Sequence, residues 1–476
     1  MLKRIVLIFA VCFFLGAQIW AQDFGFGFDD EEDMASSSAS RQRLALSVGG
    51  EVSAAIIGYF HDFPDGAENI NTLEMFMLQG KLNFHAQSSF AEGVINLKFV
   101  PALIPVNLDE AYIRAFFGNF DLSAGLKKVT WGKADQLGPL DVINLIDASK
   151  IFLEMSDNTS LMGVKIANPI VHAVYRFGMF SKVEALFVPS FEVIGAAVST
   201  AIAGADPTNP MNILIGSSSP GRWMPQQMEN ILTKIGEKAY VNPDLNVKNI
   251  IPKTSGIDYA QAGLRFTTTI GSADVGVQYF YGRLYQPALL ETDDSIKILY
   301  NKYHQIGIDY AQVLAGFNVR AEFAANITED IKGDKEHIFN PSIGYSFGFD
   351  RDIFAGININ LQANGSVRLL DDKVGGADSY DIESGTSITA TRLTAMLSKK
   401  FFRDTLELRT AFVWGIEGKT DGKWNGGDAA IIPALIWVKD DLRAALSGSF
   451  FLGYEDGQLG QYHDNSFLKI SVVYVF

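Results

Sequence analysis

The stretch that decides the fold is the last ten residues, Phe467-Leu468-Lys469-Ile470-Ser471-Val472-Val473-Tyr474-Val475-Phe476. One of its two faces is apolar and consists of Leu468, Ile470, Val472, Tyr474 and Phe476. The other face carries Lys469 and Ser471 among smaller apolar residues. Successive side chains of a strand point to opposite faces, so this alternation predicts a β-strand with one apolar and one more polar face.

This stretch resembles the closing strand of bacterial outer-membrane β-barrel proteins. In that class the aromatic C-terminus is the signal for the barrel assembly machinery. The resemblance therefore implies that Tyr474 and Phe476 form an assembly signal. It also implies that the first strand pairs with the last and that antiparallel hairpins fill the chain between them.

The same alternation recurs from Arg43 onward. Phe317, Val319 and Phe323, for example, alternate with Arg320 and Glu322. Soluble β-sandwiches also alternate, but these segments run to about ten residues, whereas soluble strands average five or six. A charged or amide face recurs in nearly every segment, as a water-filled interior requires. Outside the N-terminus no run of about eighteen apolar residues occurs, which argues against helical membrane spans.

The connections between these segments alternate in length. Short ones fall at 118–119, 271–272, 312–314, 350–352, 399–404 and 439–441. Long polar ones fall at 283–295, 326–336, 370–385, 416–428 and 453–465. Short periplasmic turns and long external loops are typical of outer-membrane barrels. We therefore predict an all-β, transmembrane antiparallel up-and-down β-barrel of eighteen strands in the cell outer membrane. Sixteen is the alternative, because two strands are placed at 159–189 without a clear turn.

Three regions are predicted along the chain. Residues 1–21 read as a secretory signal peptide, with Lys3 and Arg4 before an apolar run and cleavage after Ala21. Residues 22–42 are acidic and Ser-rich, which predicts a disordered periplasmic lead-in. Residues 43–476 form the barrel.

Composition excludes several classes of function. The only cysteine is Cys12, inside the signal peptide, so a cysteine nucleophile, a cysteine zinc site and a disulfide scaffold are excluded from the mature chain. The net charge of −15 argues against a nucleic-acid partner. We expect no cofactor. The expected partners are the lipid bilayer of the outer membrane, the barrel assembly machinery and a small polar solute.

Residues 190–254 are too long for an ordinary connection. Within them Pro225 begins a stretch whose Met228, Ile231, Leu232 and Ile235 recur at helical spacing. We expect short helices in a long extracellular or pore-capping loop. The alternative is a surface cap without a role in transport.

The most distinctive element is Trp131-Gly132-Lys133-Ala134-Asp135, followed by Leu140-Asp141-Val142-Ile143-Asn144. With Glu110 to Arg114 it resembles a family of bacterial outer-membrane proteins of unknown function that carry W-G-x-x-D and then L-D-x-x-N. Residues 259–266 also look like that family and its alginate-export-like relatives. This sequence has Leu145 where the family pattern has Pro. The resemblance implies a porin-like fold and no established substrate.

Physical reasoning gives this element two interpretations. Trp131, at a strand end, suits the membrane interface or pins the following loop. Asp135, Asp141 and Asn144 can accept backbone N–H bonds and hold that loop. We expect a structural latch, with an inward-folded loop that narrows the pore as the alternative.

Charged residues on the predicted inward faces are the other candidates, as pore-lining groups: Glu110, Arg114, Arg265, Arg320, Glu322, Glu407, Arg409 and Arg443. Rows of charge can set the selectivity of a pore. The alternative is a solvated interior held by mutual ion pairs. Because the signs are mixed, no strong preference for anions or cations is predicted.

The sequence therefore predicts a porin-like channel for passive, weakly selective passage of small polar solutes. A substrate-specific gated transporter and a surface adhesin that acts through its external loops are the alternatives. An enzyme is not expected, because the six histidines are scattered without metal-ligand spacing. The closest His–Ser grouping is His85 with Ser88 or Ser89.

Overall fold

The structure is a computed structural model. It describes residues 44–60, 76–100, 104–157, 161–191, 223, 226–241, 250, 252–292, 295–375, 381–419, 424–454 and 457–476. The predicted signal peptide and lead-in lie outside these residues and stay predictions. Most residues in the described part of the chain lie in β-strands.

Eighteen strands build one sheet. Its first nine strands are β1 Ala45–Tyr59, β2 Phe76–Gln87, β3 Ala91–Val100, β4 Ile104–Phe117, β5 Phe120–Lys127, β6 Asn168–Phe177, β7 Ser181–Val188, β8 Gln261–Ile270 and β9 Ala273–Arg283. Two short strands, β10 Ala288–Glu291 and β11 Ile296–Leu299, pair only with each other. The sheet continues with β12 Lys302–Leu314, β13 Phe317–Thr328, β14 Ser342–Asp352, β15 Ile357–Arg368, β16 Ser387–Phe401, β17 Leu406–Lys419, β18 Trp424–Lys439, β19 Leu442–Leu452 and β20 Phe467–Val475.

The sheet closes on itself. Each strand of the sheet pairs antiparallel with the strands that precede and follow it in the sheet, so that β9 pairs with β12, and β1 pairs with both β2 and β20. At this seam the Gly50 N–H donates to the Phe476 carbonyl at 2.9 Å and the Phe476 N–H donates to the Gly50 carbonyl at 3.0 Å. The prediction of a closed barrel of eighteen strands is confirmed, and the alternative of sixteen is wrong. The role of Tyr474 and Phe476 as an assembly signal stays a prediction.

The two faces of the barrel differ as the alternation predicted. Apolar side chains point outward, such as Leu46 at 69% exposure and Ile113 at 67%. Charged side chains such as Glu322 and Arg409 alternate with them and are buried at the inner face. A closed barrel leaves no unpaired backbone edge in lipid, and an apolar outside with a polar inside is the architecture of outer-membrane proteins. The chain is an outer-membrane β-barrel.

The connections follow the predicted alternation of length, with one correction. The predicted long loop at 416–428 is wrong, because β17 runs to Lys419 and β18 begins at Trp424. The pairing of these two strands is irregular between Gly415 and Glu417, where the register shifts. At 159–189, where two strands were predicted without a clear turn, the structure has β6 and β7 joined by a turn at 178–180.

Two α-helices lie between strands in the described part of the chain. Helix α1, Ala148–Met155, follows β5, and helix α2, Gln226–Val241, follows β7. Helix α2 lies within the long loop where a helix was predicted, whereas α1 was not predicted. Ile231 and Ile235 of α2 share a hydrophobic cluster with Phe191 and with Ile296 and Ile298 of the β10–β11 hairpin. Among the described residues, no helix has the length and apolar character to cross a membrane.

Candidate functional site

The segment at 128–157, between the end of β5 and the end of α1, is the inner loop. Along its length it contacts inward side chains of β9, β12, β13 and β15, and then of β19 and β20. In the closed ring β9 is the ninth strand and β20 the eighteenth, so these walls face each other across the barrel. The inner loop therefore crosses the interior, which agrees with the alternative interpretation of an inward-folded loop.

Trp131 fixes the start of the inner loop. Its side chain is 2% exposed and packs with Val129, Ile143 and Phe280 in a cluster inside the barrel. Gly263 of β8 leaves room for the ring, since a Cβ at that position would lie 2.6 Å from the indole. Trp131 therefore pins the loop, as one of the two interpretations predicted, and the other, a position at the membrane interface, is wrong.

Glu322 of β13 holds the next part of the loop. Its carboxylate accepts backbone N–H groups from Lys133, from Ala134 at 2.6 Å and from Leu140 at 3.5 Å. The loop curves tightly around it, with Gly132 at a φ of +100°. A buried carboxylate requires such donors, because leaving it unpaired in the interior costs several kcal/mol. Glu322, predicted to line the pore, instead binds the loop and is 1% exposed.

A row of side-chain amides extends this contact. Gln278 of β9 donates to the Leu140 carbonyl at 3.0 Å, and Gln305 of β12 donates to the Pro139 carbonyl at 3.0 Å. Asn364 of β15 donates to the Leu137 carbonyl at 2.9 Å. These amides satisfy carbonyl groups that would otherwise be buried without a donor. The sequence placed Asn364 and Gln278 on the polar face but gave no indication of what they bind.

The three predicted polar latch residues act in two different ways. Asn144 accepts the Val129 N–H at 2.7 Å and donates to the Ile166 carbonyl at 2.8 Å, as predicted for a residue that holds a folded loop. Asp141 instead forms an ion pair with Lys165 at 2.6 Å. Asp135 pairs with Arg320 and accepts from Asn360 at 2.8 Å. For these two aspartates the predicted backbone bonds are replaced by side-chain partners.

The other end of the inner loop is held differently. Phe152 of α1 meets Phe451 edge to face, with ring centroids 4.7 Å apart. Beyond it the Ser447 hydroxyl donates to the Ser156 hydroxyl at 3.2 Å. Lys469 donates to the Leu153 carbonyl at 2.7 Å and pairs with Asp157 at 3.0 Å. The α1 end thus rests on the barrel wall through Phe152, Leu153 and Met155, which pack on a hydrophobic cluster, and through a few polar contacts.

Five of the predicted pore-lining charges have charged or polar partners. Arg265 pairs with Asp309 at 2.7 Å, and Arg114 pairs with Asp121 at 2.6 Å. Glu110 accepts from the Asn96 amide at 3.1 Å and from the Lys128 N–H at 2.9 Å. Arg320 pairs with Asp350 at 2.7 Å, and Glu407 lies 4.0 Å from Arg409. These contacts agree with the alternative of an interior held by mutual ion pairs.

Arg409 and Arg443 are less well compensated. Apart from the long contact to Glu407, the Arg409 guanidinium has a buried Nη2 that finds no hydrogen-bond partner among the described residues. Arg443 forms no ion pair or hydrogen bond with any residue that the structure describes. The charge pattern of the interior is therefore uneven along its circumference.

The histidines that the structure describes form no catalytic arrangement with serine. His85 lies 3.7 Å from Glu92, while the Ser88 hydroxyl donates to the Ala91 carbonyl at 3.1 Å within the β2–β3 turn. His172 and Glu184 are buried together at 3.2 Å. No group of three metal-ligating side chains occurs among the described residues.

Comparison with known proteins gives likenesses of fold only. No protein-family model and no curated relative matches the chain. Pseudomonas aeruginosa OccK3 (OpdO) aligns over 90% of this chain and 95% of its own, at 10% identity and a TM-score of 0.49. Pseudomonas aeruginosa OpdL aligns over 91% of this chain and 98% of its own, at 8% identity and a TM-score of 0.48. The outer-membrane channel DcaP of Acinetobacter baumannii aligns over 91% of this chain and 97% of its own, at 10% identity and a TM-score of 0.40. At these values the likenesses carry no argument about the solute, and the likeness to alginate-export proteins stays a prediction.

Proposed function

We propose that the chain is an outer-membrane channel for the passive, weakly selective passage of small polar solutes. The observation that carries this proposal is a closed barrel of eighteen strands whose inner face is polar and charged. Barrels of sixteen to eighteen strands leave an aqueous interior, whereas eight-stranded barrels are filled by their own side chains. An interior of this width, lined by groups that water and polar solutes can bind, suits passage.

Weak selectivity is supported by the ion pairs of the interior. Arg114, Arg265 and Arg320 each have a carboxylate partner within hydrogen-bond distance. A paired charge has a weaker field at a distance than an isolated one, because the two signs oppose each other. Most of the interior therefore lacks a large single-sign field that would exclude one class of ion.

A substrate-specific, gated channel is the second candidate, and the inner loop favours it. The loop joins strands on opposite sides of the barrel and so divides the interior. Helix α2 and the β10–β11 hairpin form a second structured group in the connections beyond β7 and β9. Either feature could limit passage to solutes of a particular shape.

Single-channel conductance of the refolded mature protein in a planar bilayer tests the proposal. We expect large, stable steps with a small reversal potential in asymmetric KCl. The matched sample lacks residues 190–254. Steps that occur only after this deletion would favour the gated channel. A folded barrel without conductance in either form would overturn the channel proposal and favour an adhesin.

A further inference from the structure

A groove lies on the outer face of the barrel beside the start of β8. Ala262 of β8 pairs in register with Phe187 of β7 on one side and with Tyr281 of β9 on the other. These three side chains point away from the interior, because the adjacent Gly263 faces the Trp131 ring inside the barrel and strand residues alternate. The small Ala262 side chain therefore leaves a groove between two aromatic rings on the face that meets lipid.

Two charged residues close one end of the groove and make it a recess. Asp258, in the turn at 257–259, and Lys302, the first residue of β12, line the recess together with the two rings. Its volume is about 470 Å³. Ligand pockets in proteins typically measure about 300–1,000 Å³. A carboxylate, an ammonium group and an apolar groove thus meet in a space that a small headgroup can fill.

Both charged groups are available to a ligand. Asp258 is exposed, and its carboxylate forms no ion pair or hydrogen bond with any residue that the structure describes. Lys302 pairs only at 3.8 Å with Glu329, and the two side chains are 40% and 46% exposed. An ion pair that is long and exposed contributes little to stability. A phosphate group in the recess can therefore take the place of Glu329 at Lys302.

The turn that carries Asp258 is held in place by Arg283 of β9. The guanidinium donates to the Asp258 carbonyl at 2.6 Å and to the Tyr300 carbonyl at 2.7 Å. It also lies over the Tyr259 ring, 4.0 Å from the ring centroid. The backbone beside the recess is therefore fixed before a ligand binds, which reduces the ordering cost of binding.

The recess lies at the end of the barrel that carries the long connections. At their other ends β8 and β9 meet in the short turn at 271–272. Long connections lie at the cell surface in outer-membrane barrels, and aromatic residues mark the level of the lipid headgroups. Next to the recess the Tyr279 hydroxyl forms a hydrogen bond with His304 at 2.7 Å, while Leu264 is 53% exposed further along β8. The recess therefore opens toward the outer leaflet, with charges at headgroup level and apolar side chains along the acyl region.

We propose that the recess binds a zwitterionic phospholipid of the phosphatidylethanolamine type. The lipid phosphate pairs with Lys302, its ammonium group pairs with Asp258, and an acyl chain lies over Ala262. A lipid with only a negative charge satisfies Lys302 but places a like charge beside Asp258. A trimethylated ammonium has no N–H to donate to the carboxylate. The recess is on the lipid side of the wall, so the proposal does not depend on the proposed channel function.

Native mass spectrometry of the folded full-length barrel in detergent tests this assignment. The probes are phosphatidylethanolamine, phosphatidylcholine and phosphatidylglycerol with identical oleoyl chains. We expect phosphatidylethanolamine to bind about fivefold more tightly than the other two, as for one partly exposed ion pair. Asp258→Asn should remove this preference, whereas Lys302→Gln should weaken the binding of all three lipids. Ala262→Leu should weaken all three by about tenfold, because leucine fills the groove.

Matched controls separate the recess from general changes of charge or outer surface. Asp334→Asn alters a carboxylate in the connection between β13 and β14, and Lys373→Gln alters a lysine that follows β15. Ala395→Leu enlarges another outward alanine, which the strand register places between Leu361 and Phe412. All three controls should leave the binding of each lipid within about twofold of the wild-type value.

Three outcomes would contradict the proposal, provided that circular dichroism shows each variant to be folded. Tighter binding of phosphatidylglycerol than of phosphatidylethanolamine would overturn the zwitterionic headgroup. Unchanged binding in both Asp258→Asn and Ala262→Leu would overturn the location. Soluble glycerophosphoethanolamine has the same headgroup without acyl chains and should not displace the lipid. Displacement at a concentration similar to that of the lipid would show that the acyl chain makes no contact, and the site would then not be a lipid site.

Discussion

The two halves of the inner loop are attached to the barrel by different means. Residues 131–144 are held by a buried indole, by a buried carboxylate that accepts backbone N–H groups, and by side-chain amides of three strands. Residues 148–157 are held by Phe152, Leu153 and Met155, which pack on a hydrophobic cluster, and by a hydroxyl contact and an ion pair. The first half is bound mainly through buried polar groups, and the second mainly through apolar side chains.

This difference concerns the kind of contact that fixes each half. A buried carboxylate with several N–H donors is costly to break, because its removal leaves those donors unsatisfied. The Asp157–Lys469 pair is also largely buried, with side-chain exposures of 13% and 10%, so the loss of one partner would leave an uncompensated charge. The first half is thus fixed mainly by hydrogen bonds to the loop backbone, and the α1 end by apolar packing and one ion pair.

The largest effect is expected from Trp131→Ala. Removal of a buried tryptophan side chain leaves a cavity and should lower the free energy of unfolding by about 3–5 kcal/mol. Reversible urea unfolding in lipid vesicles, followed by far-ultraviolet circular dichroism, measures this loss. Trp414→Ala is the matched control, because Trp414 is partly exposed and makes one hydrogen bond to the Gly426 carbonyl. A similar loss in both variants would contradict the inward anchor.

Glu322→Gln should have an intermediate effect. A glutamine amide offers one oxygen and an NH₂ group, so part of the loop backbone loses its acceptor at about 1–3 kcal/mol for each group. We expect the amide hydrogens of Lys133 and Ala134 to exchange with deuterium roughly tenfold faster than in the wild type. Glu329→Gln, at an exposed pair with Lys302, is the control. Unchanged exchange in Glu322→Gln would show that the carboxylate does not hold the loop.

The smallest effect is expected from Ser156→Ala at the α1 end. It removes two neutral hydrogen bonds, one from the Ser447 hydroxyl and one to the Leu153 carbonyl, and each contributes about 0.5–1.5 kcal/mol. Urea unfolding should shift by no more than this, and exchange at residues 131–140 should stay as in the wild type. Ser272→Ala in the β8–β9 turn provides a comparison. A loss as large as that of Trp131→Ala would mean that the two halves are not held differently.

Local alternation was enough to predict much of the fold. Strand side chains point alternately to the two faces of a sheet. Once the apolar face was taken as the outer one, Arg320, Glu322 and Arg409 were therefore predicted to point inward, because they alternate with the apolar residues. The polarity of residues 416–428 was misleading, because it predicted a long loop where β17 and β18 continue. Helix α1 has only eight residues, which is too short for a clear helical period.

The contacts of the site could not be predicted in the same way. The N–H groups that bind Glu322 come from Lys133 and Ala134, far away in the sequence, and nothing in the local pattern shows which way a loop folds from the rim. Trp131 illustrates the same limit, because a tryptophan at a strand end suits both the interface and the interior. Gly263, which makes space for its ring, is an ordinary strand residue in the sequence.

The seam between β1 and β20 has a consequence for the order of events in folding. Glu51 pairs with Val475, so the two partners are separated by nearly the whole barrel sequence. Each hairpin closes a short loop, whereas this pairing closes a loop that is roughly thirty times longer. The added entropic cost of closing it is about 3 kcal/mol. The seam should therefore form after the hairpins. Until it does, β1 and β20 are open edges able to pair with other chains, which makes the interval before closure the stage most prone to aggregation.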